Sequence, residues 1–249
     1  MRNLETIYAL CMRELLRFVR ERSSIYASLA RPVLWLIVLG SGMHNAFRGQ
    51  TGVPYAAYLL PGVVAMTVLF AGLFAGVSTV WDREFGFLKE VLIAPVPRLA
   101  IVLGKVLAGT LTTSLQALLT VLLAPIVGVP LSLGALLPAT GIVLLTSAAV
   151  VGLALCIAAR LKTFEGFSNF ANLVALPLFF LSGSMYPVDD APRWLAPLIL
   201  INPITYAVDA LRQILIGVGH HDLWQDLAIV TGFALVTVSA AAYSFKRAY

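Results

Sequence analysis

Six ionisable side chains crowd one short stretch between two long apolar runs: Asp82, Arg83, Glu84, Lys89, Glu90 and Arg98. Each would cost a few kcal/mol or more in hydrocarbon, so residues 82–98 must lie in water or at a membrane surface. Phe85, Leu88, Val91 and Leu92 recur at helical spacing, which predicts a short helix along that surface, ended by Pro95 and Pro97. Mixed charge on a stiff helix offers ion pairing with another protein, and a place where that protein can push. Reactive chemistry is absent by contrast. There is no GxxxxGK(S/T) phosphate loop, no GxSxG, no HExxH and no CxxC. His220 and His221 hint at a metal, but helical neighbours point apart and no third ligand is evident, so no metal is expected. No charge lies clearly at the middle of an apolar run, which leaves a proton or sodium relay without a carrier. Asp209 is the best exception.

The elements that position these residues are set by composition. The 249 residues are 60% hydrophobic and 12% charged, with mean hydropathy +0.92, where a soluble domain carries about 25% charged residues. This predicts an all-α integral membrane protein forming a single domain, 1–249. The net charge of +5 is read as basic residues gathered in cytoplasmic loops, not as nucleic-acid binding. Cys11 and Cys156 lie in apolar helical stretches without ligand spacing and read as small hydrophobes. The first 22 residues lack the apolar centre and small-residue site of a cleavable signal peptide.

Residues 2–22 read as an amphipathic helix in the headgroup layer. Leu4, Ile7, Tyr8, Cys11, Leu15, Phe18 and Val19 share one face; Arg13, Arg17 and Arg20 share the other, turned to phosphates or to a partner. Spans are expected at about 25–43, 55–80, 99–127, 131–159, 166–186 and 223–245. Arg31 opens the first, where it can snorkel to the interface. Gly72 and Gly76 in the second make a GxxxG pair suited to close helix packing, with a substrate path as the sharper alternative. Hydroxyls and Gln116 in the third bond back to the helix or across to a neighbour. Asn169 and Asn172 in the aromatic fifth span, near Phe179, are expected to face the protein interior, packing or lining a path. Residues 187–222 hold two apolar pieces, broken by Pro197 and Pro203, each too short to cross about 30 Å of hydrocarbon. They are read as a re-entrant or surface-lying external pair.

Orientation follows from the basic residues. Arg2, Arg13, Arg17, Arg20, Arg22, Arg31, Arg83, Lys89, Arg98, Lys105, Arg160, Lys162, Lys246 and Arg247 fall on one side, and only Arg48, Arg193 and Arg212 on the other. This places both termini and the 82–98 segment in the cytoplasm and the broken pair outside. A transporter with neither an ion relay nor an ATP site needs energy from elsewhere, and a cytoplasmic ATPase pressing on 82–98 would supply it.

Two runs carry a family resemblance. One is Asp82-Arg83-Glu84-Phe85-Gly86-Phe87-Leu88-Lys89-Glu90, followed by Ala94-Pro95-Val96-Pro97-Arg98 and Gly104-Lys105. The other is Leu181-Ser182-Gly183-Ser184-Met185-Tyr186-Pro187 with Asn202-Pro203-Ile204-Thr205-Tyr206-Ala207-Val208-Asp209 after it. In this order and topology the chain, from about residue 2 to 247, resembles the ABC-2 type permeases, in their drug- and lipo-oligosaccharide-export branch. The resemblance implies a homodimeric permease of a bacterial inner membrane. It would be served by two copies of a separate nucleotide-binding ATPase, which hold the ATP and magnesium, with no cofactor on this chain. It implies that residues 2–22 and 82–98 receive the ATPase stroke, with Glu84, Phe85, Gly86 and Lys89 at the contact and Arg13 and Arg17 on the neighbouring helix. It implies a path at the dimer interface lined by the second and fifth spans, and an external gate around Tyr186, Pro187, Asn202, Pro203 and Asp209. An autonomous channel or ion-coupled carrier is the alternative; an intramembrane enzyme lacks any reactive constellation.

Overall fold

Long apolar runs without strand-like alternation fold as helices, and all regular structure among the described residues is helical. The computed structural model describes residues 2–20, 22–43, 53–84, 97–161, 163–188 and 191–248. The helices are α1 (Arg2–Arg20), α2 (Arg22–Gly42), α3 (Tyr55–Glu84), α4 (Arg98–Val121), α5 (Leu133–Arg160), α6 (Phe164–Phe180), α7 (Ala196–Ile201), α8 (Pro203–Ile216) and α9 (Leu223–Ala248). Among the described residues, four helical stretches are long and apolar enough to cross a membrane: Tyr55–Glu84, Leu99–Val127, Leu133–Arg160 and Leu223–Arg247. In α2 the apolar part is the shorter Ser28–Gly42. The chain is therefore an integral membrane protein by the length and apolarity of its helices.

The packing is organised on α3. Leu60, Val63, Val64, Leu69 and Val80, spread along and around this helix, are all buried, as expected for a helix apolar on every side. It touches α2, α4, α5, α6 and α8. Two of the glycines noted in the sequence explain how closely. A Cβ on Gly72 would meet Val150 Cγ1 of α5 at 2.8 Å, and one on Gly76 would meet the Phe167 ring at 2.6 Å and Ala154 Cβ at 3.1 Å. Both glycines therefore serve helix packing, and their lack of a side chain is what lets α3, α5 and α6 approach. Gly152 does the same for α5 against α9, where a Cβ would lie 2.9 Å from the Val238 backbone nitrogen.

Local signals fix several ends. Ser132 accepts a hydrogen bond from the Ala135 amide at 3.2 Å and starts α5; Thr163 does the same for Gly166 and starts α6. Asn202 accepts from Ile204 N at 3.0 Å, with Pro203 in the first turn of α8. Gly217, at φ 70°, ends α8 in the left-handed conformation that favours glycine.

Three expectations need correction. The second apolar helix does not stop at residue 80: α3 runs unbroken to Glu84, so Asp82, Arg83 and Glu84 form its last turn. The helix read at 166–186 ends at Phe180, and Leu181–Tyr186 is a turn containing Gly183 at φ 64°. The 17 residues of α6 reach only about 25 Å at 1.5 Å per residue. Asn169 is exposed on the outer face of α6, while Asn172, also exposed, borders the groove against α3 beside Phe70 and Phe74, its Nδ2 donating to Ser168 O at 3.0 Å. The interior face of α6 is taken by Phe167, Ala171, Ala175 and Phe179, which fill the seam against α3 and α2.

Candidate functional site

The charged end of α3 is built from three helices. Asp82 sits in the last turn of α3 and accepts a hydrogen bond from Lys105 Nζ of α4 at 2.6 Å. Arg13 of α1 reaches the same oxygen, Asp82 Oδ2, at 3.3 Å, and Glu14 Oε1 at 2.8 Å. The Lys105 side chain is 6% exposed and that of Asp82 16%. Two cations and two carboxylates therefore balance one another in a largely dry place. Breaking such a pair on one side leaves a buried charge uncompensated, at about 3–5 kcal/mol. The lysine lies about two turns into α4, and its long stem carries the ammonium to Asp82, where α3 and α1 meet it.

Neighbouring side chains fasten the same corner. Arg83 donates from Nη1 to Leu161 O at 3.0 Å and from Nη2 to Ala159 O at 3.2 Å. It thereby satisfies carbonyls that the end of α5 leaves open. Trp81 stacks on Phe164 with ring centroids 5.7 Å apart, and the Arg17 guanidinium lies 5.8 Å from the Trp81 ring. Cys11 Sγ donates to Gly104 O at 3.5 Å, and burial pushes the Cys11 thiol above its ordinary value, away from thiolate chemistry.

The amphipathic reading of α1 is thus half right. Cys11, Leu15 and Phe18 turn toward the protein, while Tyr8, Met12, Leu16 and Val19 form an exposed apolar stripe. Arg13 and Arg17 do not face outward with Arg20: Arg13 turns in to Asp82, and Arg17 lies against Trp81. Beside this corner, α1, α2, α3 and α4 enclose a cleft of about 500 Å³. Arg17, Arg31, Lys105 and Glu14 give it polar walls, and Phe70, Phe74 and Trp81 give it aromatic ones. Arg31 also lies 5.4 Å from the Phe70 ring centroid.

Of the other residues singled out in the sequence, Glu84 is exposed at the tip of α3. Phe85, Gly86, Lys89 and Glu90 lie outside the described residues, and Arg98 is the first residue of α4. Phe179 is buried edge-on against Trp35, with centroids 5.7 Å apart, so it packs. At the far end of α3, Tyr186 donates its hydroxyl to Phe180 O at 3.0 Å and Pro187 is half-buried beside it. Asn202 donates from Nδ2 to Leu178 O at 2.7 Å, tying the start of α8 to the end of α6. Asp209 is buried and accepts the backbone amides of His220 and His221 at 3.0 and 2.8 Å.

The sequence reading found no third ligand beside the two histidines; the fold brings one to them. Asp209 of α8 and Asp226 of α9 converge on His221. Three further residues went unremarked or undervalued: Lys105, Arg212 and Asp226. Arg212 is buried, lies 3.9 Å from the Tyr58 ring centroid and donates to Gly183 O at 3.0 Å. Each is a charge set within or beside an apolar helix, and that is the signal that marks them.

Comparison with known proteins agrees with this architecture. The family described as ABC-2 type transporter matches residues 5–216. The chain is 30% identical over 217 residues to a protein of Porphyra purpurea named transport permease ycf38, covering 85% of this chain and 74% of that one. It is 29% identical over 197 residues to Nodulation protein J of Rhizobium meliloti (strain 1021), covering 78% and 75%. Nodulation protein J of Rhizobium leguminosarum bv. viciae is 27% identical over 197 residues, covering 78% and 76%.

Proposed function

We propose that this chain, which belongs to the ABC-2 type transporter family, is the membrane permease of an ATP-driven exporter. A separate cytoplasmic ATPase holds ATP and magnesium and drives it. Two copies of the chain pair in the inner membrane with two copies of the ATPase, six crossings each, both termini in the cytoplasm. The observation that carries this reading is the Arg13–Asp82–Lys105 cluster. It joins α1 and α4 to the last turn of α3, immediately before residues 85–96. A push on that segment is delivered to three helices at once. The same helices wall the cleft of about 500 Å³, so the push reaches a place that can hold cargo.

Cations and aromatic rings side by side in that cleft suit an amphiphile with an acidic or polyhydroxyl headgroup and an apolar tail. An amphiphilic drug, a glycolipid and a lipo-oligosaccharide all meet that description. The exposed Asn169 and Asn172 on α6 lie on a face that a second copy can convert into a path wall.

The test is reconstitution in proteoliposomes with and without an ATPase subunit that co-purifies with this chain. Expected are ATP hydrolysis and transport only with both present, and loss of coupled transport in the Glu84→Ala/Lys89→Ala double variant at normal membrane insertion. Flux through liposomes containing this chain alone would favour an autonomous channel or carrier and overturn the proposal.

A further inference from the structure

The residues gathered where α8 turns back into α9 take no part in the function proposed above. Gly217 ends α8, and the chain folds over so that the His220 and His221 amides land on the Asp209 carboxylate. This brings His221 Nδ1 to 3.2 Å from Asp209 Oδ2 and 3.8 Å from Asp226 Oδ1. One potential ligand atom from each of Asp209, His221 and Asp226 lies within 4.8 Å of the others. The carboxylate side chains are 6% and 0% exposed, and that of His221 13%. Gln213 holds the group from behind, donating to Asp226 Oδ2 at 2.8 Å and to His221 O at 2.9 Å.

Two facts point to a site for a cation. Asp226 Oδ1 is fully buried and has no hydrogen-bond partner, and it faces the imidazole. Moreover, the nearby Arg212 donates to Gly183 O and lies over the Tyr58 ring, and hydrogen-bonds neither carboxylate. Asp226 Oδ1 therefore sits in a dry pocket with the imidazole as its nearest potential partner, an arrangement that a further positive charge would stabilise.

We propose that Asp209, His221 and Asp226 form a binding site for a divalent first-row metal ion, zinc above all. One imidazole nitrogen with two carboxylate oxygens is a borderline donor set, suited to zinc over magnesium or calcium. Bonds of about 2.0–2.2 Å set the ligand atoms of a tetrahedral site roughly 3.3–3.6 Å apart, which small side-chain rotations here provide. The fourth position is left to water. His221 Nδ1 gives up its contact with Asp209 and coordinates through its lone pair. The ion then staples the loop after α8 to the first turn of α9.

The test uses the full-length chain in detergent, without a polyhistidine tag and stripped with EDTA. It is titrated with Co²⁺, followed by visible absorption, and with Zn²⁺, followed by calorimetry and thermal unfolding. Expected are one ion per chain, tetrahedral cobalt bands displaced by zinc, and a raised Tm with zinc. His221→Ala and Asp226→Asn are each expected to weaken binding by about 100-fold, and Gln213→Ala by about tenfold or more through the lost support of the ligands. His220→Ala is expected to leave affinity within about threefold. Absence of saturable binding to the wild-type chain below about 100 µM overturns the proposal, as does unchanged affinity in Asp226→Asn. Should a ligand variant fail to fold, the wild-type titration and Gln213→Ala decide the matter.

Discussion

The two ends of α3 handle buried charge in opposite ways. At the Asp82 end, Lys105 and Arg13 converge on one carboxylate, and the charges cancel within the protein. At the Tyr58 end, Asp209 and Asp226 crowd one imidazole, Arg212 hydrogen-bonds a carbonyl instead of either carboxylate, and Asp226 Oδ1 is left without a donor. A balanced cluster is a fastener, and breaking it on one side strands a buried charge. An unbalanced one depends for its stability on what binds it.

Substitutions can break or sharpen that contrast. The largest effect is expected from Asp82→Ala, which strands the buried Lys105 ammonium and should cost about 3–5 kcal/mol, read as a large drop in Tm in detergent. The double variant Asp82→Leu/Lys105→Met should recover most of that stability while transport with the ATPase stays lost. A double variant that transports normally would show that the ion pair only packs. Next comes Arg83→Ala, which uncaps the end of α5 at a half-buried site; about 1.5 kcal/mol is expected in the same measurement. Smallest is Asp226→Asn at the other end. In metal-free protein it should unfold at the same temperature or higher, because the amide still accepts from Gln213 and the like-charge repulsion is gone. A fall as large as that of Asp82→Ala would mean that Asp226 is already compensated, and the two ends would no longer differ.

Much of this could be read from residues in order. Apolar runs and the GxxxG pair on α3 are local signals, and they determine helices and packing locally. The charged stretch stood out for the same reason. What escaped was tertiary. Asp82 and Lys105 are far apart in sequence and meet only because α3 and α4 lie antiparallel. Asp209, His221 and Asp226 come from a helix, a loop and the next helix, and no spacing rule joins them. The outward turn of Asn169 is not legible in the sequence, because polarity in an apolar helix says that a partner is needed, not on which side it stands. The end of α6 at Phe180 was also hidden, since Leu181–Tyr186 is apolar enough to prolong a helix on hydropathy alone.

The bare contacts at Gly72, Gly76 and Gly152 have a mechanical corollary. Where backbone rests on neighbouring side chain or backbone with no room for a methyl group, a helix can neither roll nor slide by a residue without collision. So α3 is locked against α5 and α6, and α5 against α9. Any cyclic motion of this protein is therefore expected to tilt these helices together and not to slide one along another.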